Sequence, residues 1–251
     1  MAKYVYASNR NYNLKLNTSD LSFTTGVTYS DYGGIFSSDK VGGFYAGMNC
    51  MVCIKYDSNL NFVKAVNRYE IGWSVDQVAS DAVHSYFTGV KGTEKRLNSD
   101  LSLVSYTKYG YPTAYGLLYG AAVDTVNGYL YATGNGWGTQ LFKVRTSDMV
   151  LVASGGTDGD GYSILYTTIA GNYAYTSCRN STNTNGWIRK WNISGTTCSL
   201  ITTTAALGSI PQEITTDGTN VYVSVGGYIK KYNSNLVLQA TSAAGRSSGG
   251  V

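Results

Sequence analysis

The side chains in this chain best suited to chemistry are aromatic rings set among amides and guanidinium groups. Trp73, Tyr115, Trp137, Tyr162 and Trp187 fall in glycine- and asparagine-rich stretches, and Arg10 and Arg179 stand in similar ones, S-N-R-N and S-C-R-N-S-T-N. An aromatic face packs against the apolar C–H face of a pyranose while Asn, Asp and Arg bond its hydroxyls. The same residue types anchor protein interfaces. The plain alternative is that the rings are packing spacers inside the fold.

Other groups offer less. Asp158 and Asp160 in G-G-T-D-G-D-G-Y could reach a cation, but calcium takes six to eight oxygens and no third acid stands nearby, so a glycine-rich turn is expected. Cys50 and Cys53 form one C-x-x-C without a second pair, and His84 is the lone histidine, too few ligands for zinc. Cys178 and Cys198 are expected about 9–10 Å apart across an intervening strand, beyond disulfide reach. The thiols therefore read as free, either buried or beside turns. Asp76, Asp81 and Asp124 flank strands, where turn roles are ordinary, although a carboxylate pair could converge across the fold. No nucleophile elbow is present. No cofactor and no metal is expected.

The elements that would position these groups are strands. In 217–238, Val221, Val223 and Val225 alternate with Tyr222 and Ser224, the period of a half-buried strand. Gly226-Gly227 reverses the chain into a second strand at 228–232, and Asn233-Ser234-Asn235 turns it into a third from Leu236. This meander recurs. An aromatic inside a strand returns as Tyr6, Tyr45, Phe87, Tyr131, Tyr175 and Tyr222, at spacings of 39 to 47 residues. An apolar residue after a polar turn returns as Leu21, Leu60, Leu101, Met149 and Leu236, with Cys198 in its place in the fifth unit. Lys55, Lys95, Lys143, Arg189 and Lys230 also recur once per repeat and read as solvated, edge-protecting charge rather than phosphate ligands. Four strands at a period near 42 residues are the signature of β-propeller blades.

The fold class expected is therefore all-β: a β-propeller of six four-stranded blades in one domain. The blades fall at 1–30 with 246–251, 31–70, 71–112, 113–158, 159–206 and 207–245. The first unit enters at its second strand, so 246–251 would supply the missing strand and close the ring.

Tyr4–Asn9, Y-V-Y-A-S-N, resembles the opening of YVTN-type repeats, and D-G-T-N-V-Y-V-S-V-G-G-Y-I-K-K-Y resembles the generic propeller repeats of bacterial and bacteriophage surface proteins. No Gly-His or Trp-Asp pair of the WD40 type occurs, nor the S-x-D-x-G-x-T-W box of sialidases or the tryptophan docking motifs of quinoproteins. In such a fold two sets of loops gather on one face: those joining fourth to first strands and those joining second to third. These loops hold the aromatic set named above and Tyr119 besides.

Composition bounds the partners. Charged residues make up 14% of 251 and the net charge of +4 is scattered, so no basic groove for nucleic acid is expected, and no apolar run suits a membrane span. The N-terminus has no signal-peptide core, which places synthesis in the cytoplasm without classical export. Scarce Pro and His, abundant Tyr, Gly, Asn and Thr, and the missing signal peptide resemble a phage virion component. The functional expectation is a non-catalytic recognition or structural propeller, virion-associated, presenting its aromatic face to a glycan or protein. The alternatives are a glycan-cleaving enzyme with acids in the channel and a cytosolic interaction scaffold.

Overall fold

A computed structural model describes residues 4–9, 12–17, 23–28, 35–38, 44–48, 52–67, 75–109, 117–135, 139–157 and 163–242, with side chains at Tyr45 and at 53–67, 77–109, 119–134, 141–156 and 163–242. Among these residues there are strands and turns but no helix, as expected of a chain rich in Tyr, Thr, Val and Gly. The chain divides into two compact units, residues 1–108 and 109–251.

The first unit holds three sheets. The first has β1 (Tyr4–Asn9), β2 (Tyr12–Asn17) and β3 (Phe23–Thr28). The second has β4 (Ile35–Ser38), β5 (Phe44–Met48), β6 (Val52–Tyr56) and β7 (Phe62–Asn67). The third has β8 (Val75–Ser80), β9 (His84–Gly89), β10 (Gly92–Leu97) and β11 (Leu103–Lys108). In the second unit the fourth sheet has β12 (Leu117–Asp124), β13 (Tyr129–Asn135), β14 (Thr139–Arg145) and β15 (Val150–Thr157). The fifth has β16 (Ser163–Ala170), β17 (Tyr173–Arg179), β18 (Gly186–Asn192) and β19 (Ser199–Thr203). The sixth has β20 (Pro211–Thr216), β21 (Asn220–Val225), β22 (Tyr228–Asn233) and β23 (Leu238–Thr241). Each sheet is an antiparallel meander in chain order. The segment 246–251, expected to complete the first sheet, lies outside the described residues.

The registers show a stricter repeat than the sequence spacing did. In every sheet a tyrosine faces a lysine across one ladder: Tyr6–Lys15, Tyr45–Lys55, Tyr86–Lys95, Tyr131–Lys143, Tyr175–Lys190 and Tyr222–Lys231. In every sheet the next ladder carries a β-bulge immediately after that lysine. The bulge adds twist at one fixed point of each sheet. Three expected positions are thereby corrected by one residue: Tyr86 replaces Phe87, Lys190 replaces Arg189 and Lys231 replaces Lys230. A slip of one residue exchanges sheet faces, so Phe87 turns instead to pack edge-on against Tyr45, with ring centroids 5.6 Å apart.

The lysines are also not solvated edge charges. Lys95, Lys143 and Lys190 are buried. Lys55 Nζ donates to Asn98 O in the turn between β10 and β11, where the Tyr45 hydroxyl meets the Asn98 side chain at 3.0 Å. Lys143 Nζ donates at 2.8 Å to both Ile193 O and Gly195 O, and the Tyr131 hydroxyl reaches Ile193 O as well. The Tyr175 hydroxyl donates to Ser234 O at 3.0 Å, with Lys190 Nζ 3.5 Å from Asn235 Oδ1. Within each unit, then, the Tyr–Lys pair of one sheet latches the last turn of the next. An ammonium group buried among backbone carbonyls makes charge-assisted bonds, and the tyrosine ring beneath it adds a cation–π contact.

The turn itself carries the apolar half of the latch. Leu60, Leu101, Met149 and Leu236 all adopt left-handed backbone, φ 58–64°, and all are buried. A branched residue avoids this region unless something holds it there. Burial supplies the reason: Leu101 packs with Tyr45, Cys53 and Phe87, and Leu236 with Tyr175, Ile188 and Val223. The third strand of 217–238 accordingly starts at Leu238, because Leu236 belongs to the turn.

At the first turn of the third, fourth and sixth sheets an aspartate accepts from successive backbone N–H groups. Asp81 takes those of Val83 and His84, Asp124 those of Val126 and Asn127, and Asp217 those of Thr219 and Asn220. The Asn220 N–H, then the Tyr222 hydroxyl, hold Asp217 below its ordinary 3.8. Burial would raise Asp81, but the N–H groups of His84 and Val83, the Tyr86 hydroxyl and the His84 ring together outweigh it and the net shift is also downward. A depressed carboxylate stabilises the fold above the unfolded value of 3.8 and loses that contribution as pH falls toward its folded value. Asp217→Asn should therefore flatten the decline of Tm between about pH 5 and about pH 2, read by thermal melts. A decline as steep as in wild type would remove Asp217 from the acid transition.

Candidate functional site

Of the sequence-derived site residues, Trp73, Tyr115, Trp137, Tyr162 and Arg10 lie outside the described residues, as do Asp158 and Asp160. Trp187 and Arg179 are described, and both stand where β17 passes into β18: Arg179 faces Gly186 and Cys178 faces Trp187 across the ladder. Each is half-buried.

Arg179 is held by a residue from the neighbouring sheet. β12 carries a bulge between Leu118 and Gly120, leaving Tyr119 out of the ladder. A bulge re-aims a side chain, and the Tyr119 ring lies 5.6 Å from the Arg179 guanidinium carbon. The same offset recurs at the start of β8, β16 and β20. Gly120 then has to be glycine. A Cβ there would fall 2.3 Å from Thr133 Oγ1 and 2.9 Å from Thr167 N in β16.

The connection from 180 to 185 is polar, exposed and organised by its own bonds. Asn180 Oδ1 accepts from the N–H groups of Thr184 and Asn185, and its Nδ2 donates to the hydroxyls of Thr182 and Thr184. Asn185 Oδ1 accepts from Gly186 N and from Gly208 N, tying the loop to the segment that leads into β20. Gly186 lets the two approach, since a Cβ would sit 2.1 Å from Pro211 Cδ. The result is an indole, a guanidinium group and a row of hydroxyls and amides on a backbone already ordered before any partner arrives.

The reactive groups among the described residues are otherwise engaged. Cys53, Cys178 and Cys198 are buried, and Cys178 and Cys198 are free thiols, matching the expectation for them. Burial pushes Cys178 and Cys198 each up to about 11, far from thiolate chemistry at neutral pH. Burial, followed by the Lys95 ammonium, holds His84 below its usual value despite Asp81 Oδ1 at 3.6 Å. Asp81 and Asp124 close turns. The described residues hold no cluster of three or more His, Cys, Asp or Glu suited to a metal.

Sequence reasoning placed Tyr119 in the aromatic set but did not pair it with Arg179. The pairing depends on the bulge, and the small residue after Tyr119 is its only trace in the sequence.

No protein-family model and no curated protein matches the chain. Solved structures do. The chain is similar to the RRP9 WD40 repeats (TM-score 0.72, 9% identity, 95% of this chain and 76% of that one). It is also similar to the Cps50 (Swd1) β-propeller domain of Myceliophteria thermophila (0.71, 9%, 95% and 82%). A third likeness is to the Pan2 WD40 domain of Neurospora crassa (0.64, 10%, 83% of this chain), of whose length this chain spans 65%. With the all-β architecture and the repeated four-stranded meanders, these likenesses establish the fold as a β-propeller. They do so without the Trp-Asp and Gly-His pairs of WD40 repeats.

Proposed function

We propose that this protein is a non-catalytic recognition propeller that binds its partner through the face formed by the second-to-third and fourth-to-first strand loops. The observation that carries this reading is the Arg179–Tyr119 pair where β17 runs into the pre-ordered polar loop 180–185, with Trp187 just past that loop in β18. Half-buried aromatic and guanidinium groups on a rigid frame give contact area with little ordering entropy lost on binding. The engaged aspartates and buried thiols favour binding over hydrolysis. The partner is a glycan or a protein surface, and Trp73, Tyr115, Trp137, Tyr162 and Arg10 extend the face in this reading. The general use of propellers as interaction scaffolds agrees with it. Placement in a phage virion, after cytoplasmic synthesis, rests on composition, and capsid and tail genes beside the coding sequence would support it.

The test is binding to a glycan array and, in parallel, crosslinking in the native source, each with wild type and Trp187→Ala. Loss of about tenfold or more in affinity with an unchanged Tm is expected in whichever assay detects the partner. New reducing ends released from host polysaccharide would instead establish the glycan-cleaving alternative.

A further inference from the structure

At the opposite end of the same strands lies a groove of about 410 Å³ between the fourth and fifth sheets. Its floor is Lys143 and Tyr131, and its walls include Tyr129, Asp124, Asn172 and Ser194. The groove arises from a departure in the repeat. The last turn of the fifth sheet, between Asn192 and Ser199, is longer than its counterparts, and its Ile193, Ser194, Gly195 and Thr196 line the groove.

Two charged groups line the groove, and both retain bonding capacity. Lys143 Nζ, 4.1 Å from the Tyr129 ring centre, spends two of its three N–H donors on Ile193 O and Gly195 O. Asp124 accepts two backbone N–H bonds on Oδ1 and one from Asn127 Nδ2 on Oδ2, fewer than its lone pairs allow. An anionic ligand would gain from the ammonium but meet the carboxylate, and a cation the reverse. A ligand carrying several hydroxyls satisfies both, one accepting from Lys143 and another donating to Asp124. The exposed Asn127, Asn172, Ser194 and Thr196 at the rim add further donors and acceptors.

We infer that this groove is a second binding site, independent of the loop face, for a neutral, hydroxyl-rich ligand of monosaccharide size. Its volume lies within the about 300–1,000 Å³ of ordinary small-ligand sites.

Saturation-transfer NMR with D-glucose, D-galactose and N-acetyl-D-glucosamine as probes tests the site. Asn172→Trp and Ser194→Trp, both at exposed positions on adjoining turns of the fifth sheet, block the groove, and melts confirm that each is folded. Wild type and Trp187→Ala should transfer saturation to at least one sugar, and the two blocking variants about fivefold less or none, as expected when a ligand loses its cavity. No transfer to any of the sugars, equal transfer in a folded blocking variant, or binding of inorganic phosphate or acetate in their place would overturn the assignment. Loss confined to Trp187→Ala would assign the sugar to the loop face and overturn the groove.

Discussion

Leu101→Ala is expected to destabilise the protein by about 3 kcal/mol, and Leu101→Gly by about 1 kcal/mol less than that. The inversion of the usual Ala-over-Gly order is the informative part. Leu101 is fully buried at φ 59°, packed against Tyr45 and Phe87. Truncation to either residue forfeits the burial, but alanine keeps a Cβ in left-handed backbone whereas glycine is at ease there. If the turn leucine were merely tolerated, both variants would fall within about 0.5 kcal/mol of wild type, as surface changes do. Chemical denaturation of the three proteins decides it.

The second large effect concerns the other half of the latch. Lys143→Met keeps the apolar stem and removes the ammonium, taking the charged donor from Gly195 O and from Ile193 O, which keeps only the longer Tyr131 hydroxyl bond. The expected loss is about 2–4 kcal/mol, the range for a buried group stripped of a charged partner. Burial depresses the Lys143 amine below 10.5. The unfolded chain therefore holds more protons between the folded value and 10.5, and wild-type stability gains with pH across that window. The gap between wild type and Lys143→Met should widen as pH rises toward 10.5. Tyr131, raised by burial, works in the opposite direction, but it is common to both proteins and cancels in the difference. A solvated lysine would give no loss and no pH trend.

Much of the fold was legible because the repeat is written in turn chemistry. D-S-N-L, N-S-D-L and N-S-N-L mark the sites where the structure places a buried left-handed leucine. What misled was the choice between neighbouring residues. H-S-Y-F offers two aromatics and R-K or K-K two cations, and spacing alone cannot say which member faces the next sheet. The lysine's role was hidden for a related reason: its acceptors, Asn98 O for Lys55 and Ile193 O for Lys143, lie in the following repeat, far along the chain. The expectation of solvated charge followed from ordinary lysine behaviour and overlooked the tyrosine facing it. The position of Trp187 and Arg179 at the connection between a second and a third strand was legible from loop position. The bulge that brings Tyr119 to Arg179 and the groove beside the long turn after Asn192 were not, since they arise from register and turn length rather than from a motif.

The loop-face reading is tested most directly by hydroxyl-radical footprinting of the protein with its captured partner. Trp187 and Tyr119 should be protected, while the exposed apolar residues of the outer strands, Leu200, Ile201 and Leu238, should oxidise as in the free protein. Protection of those outer-strand residues with Trp187 and Tyr119 left reactive would contradict it.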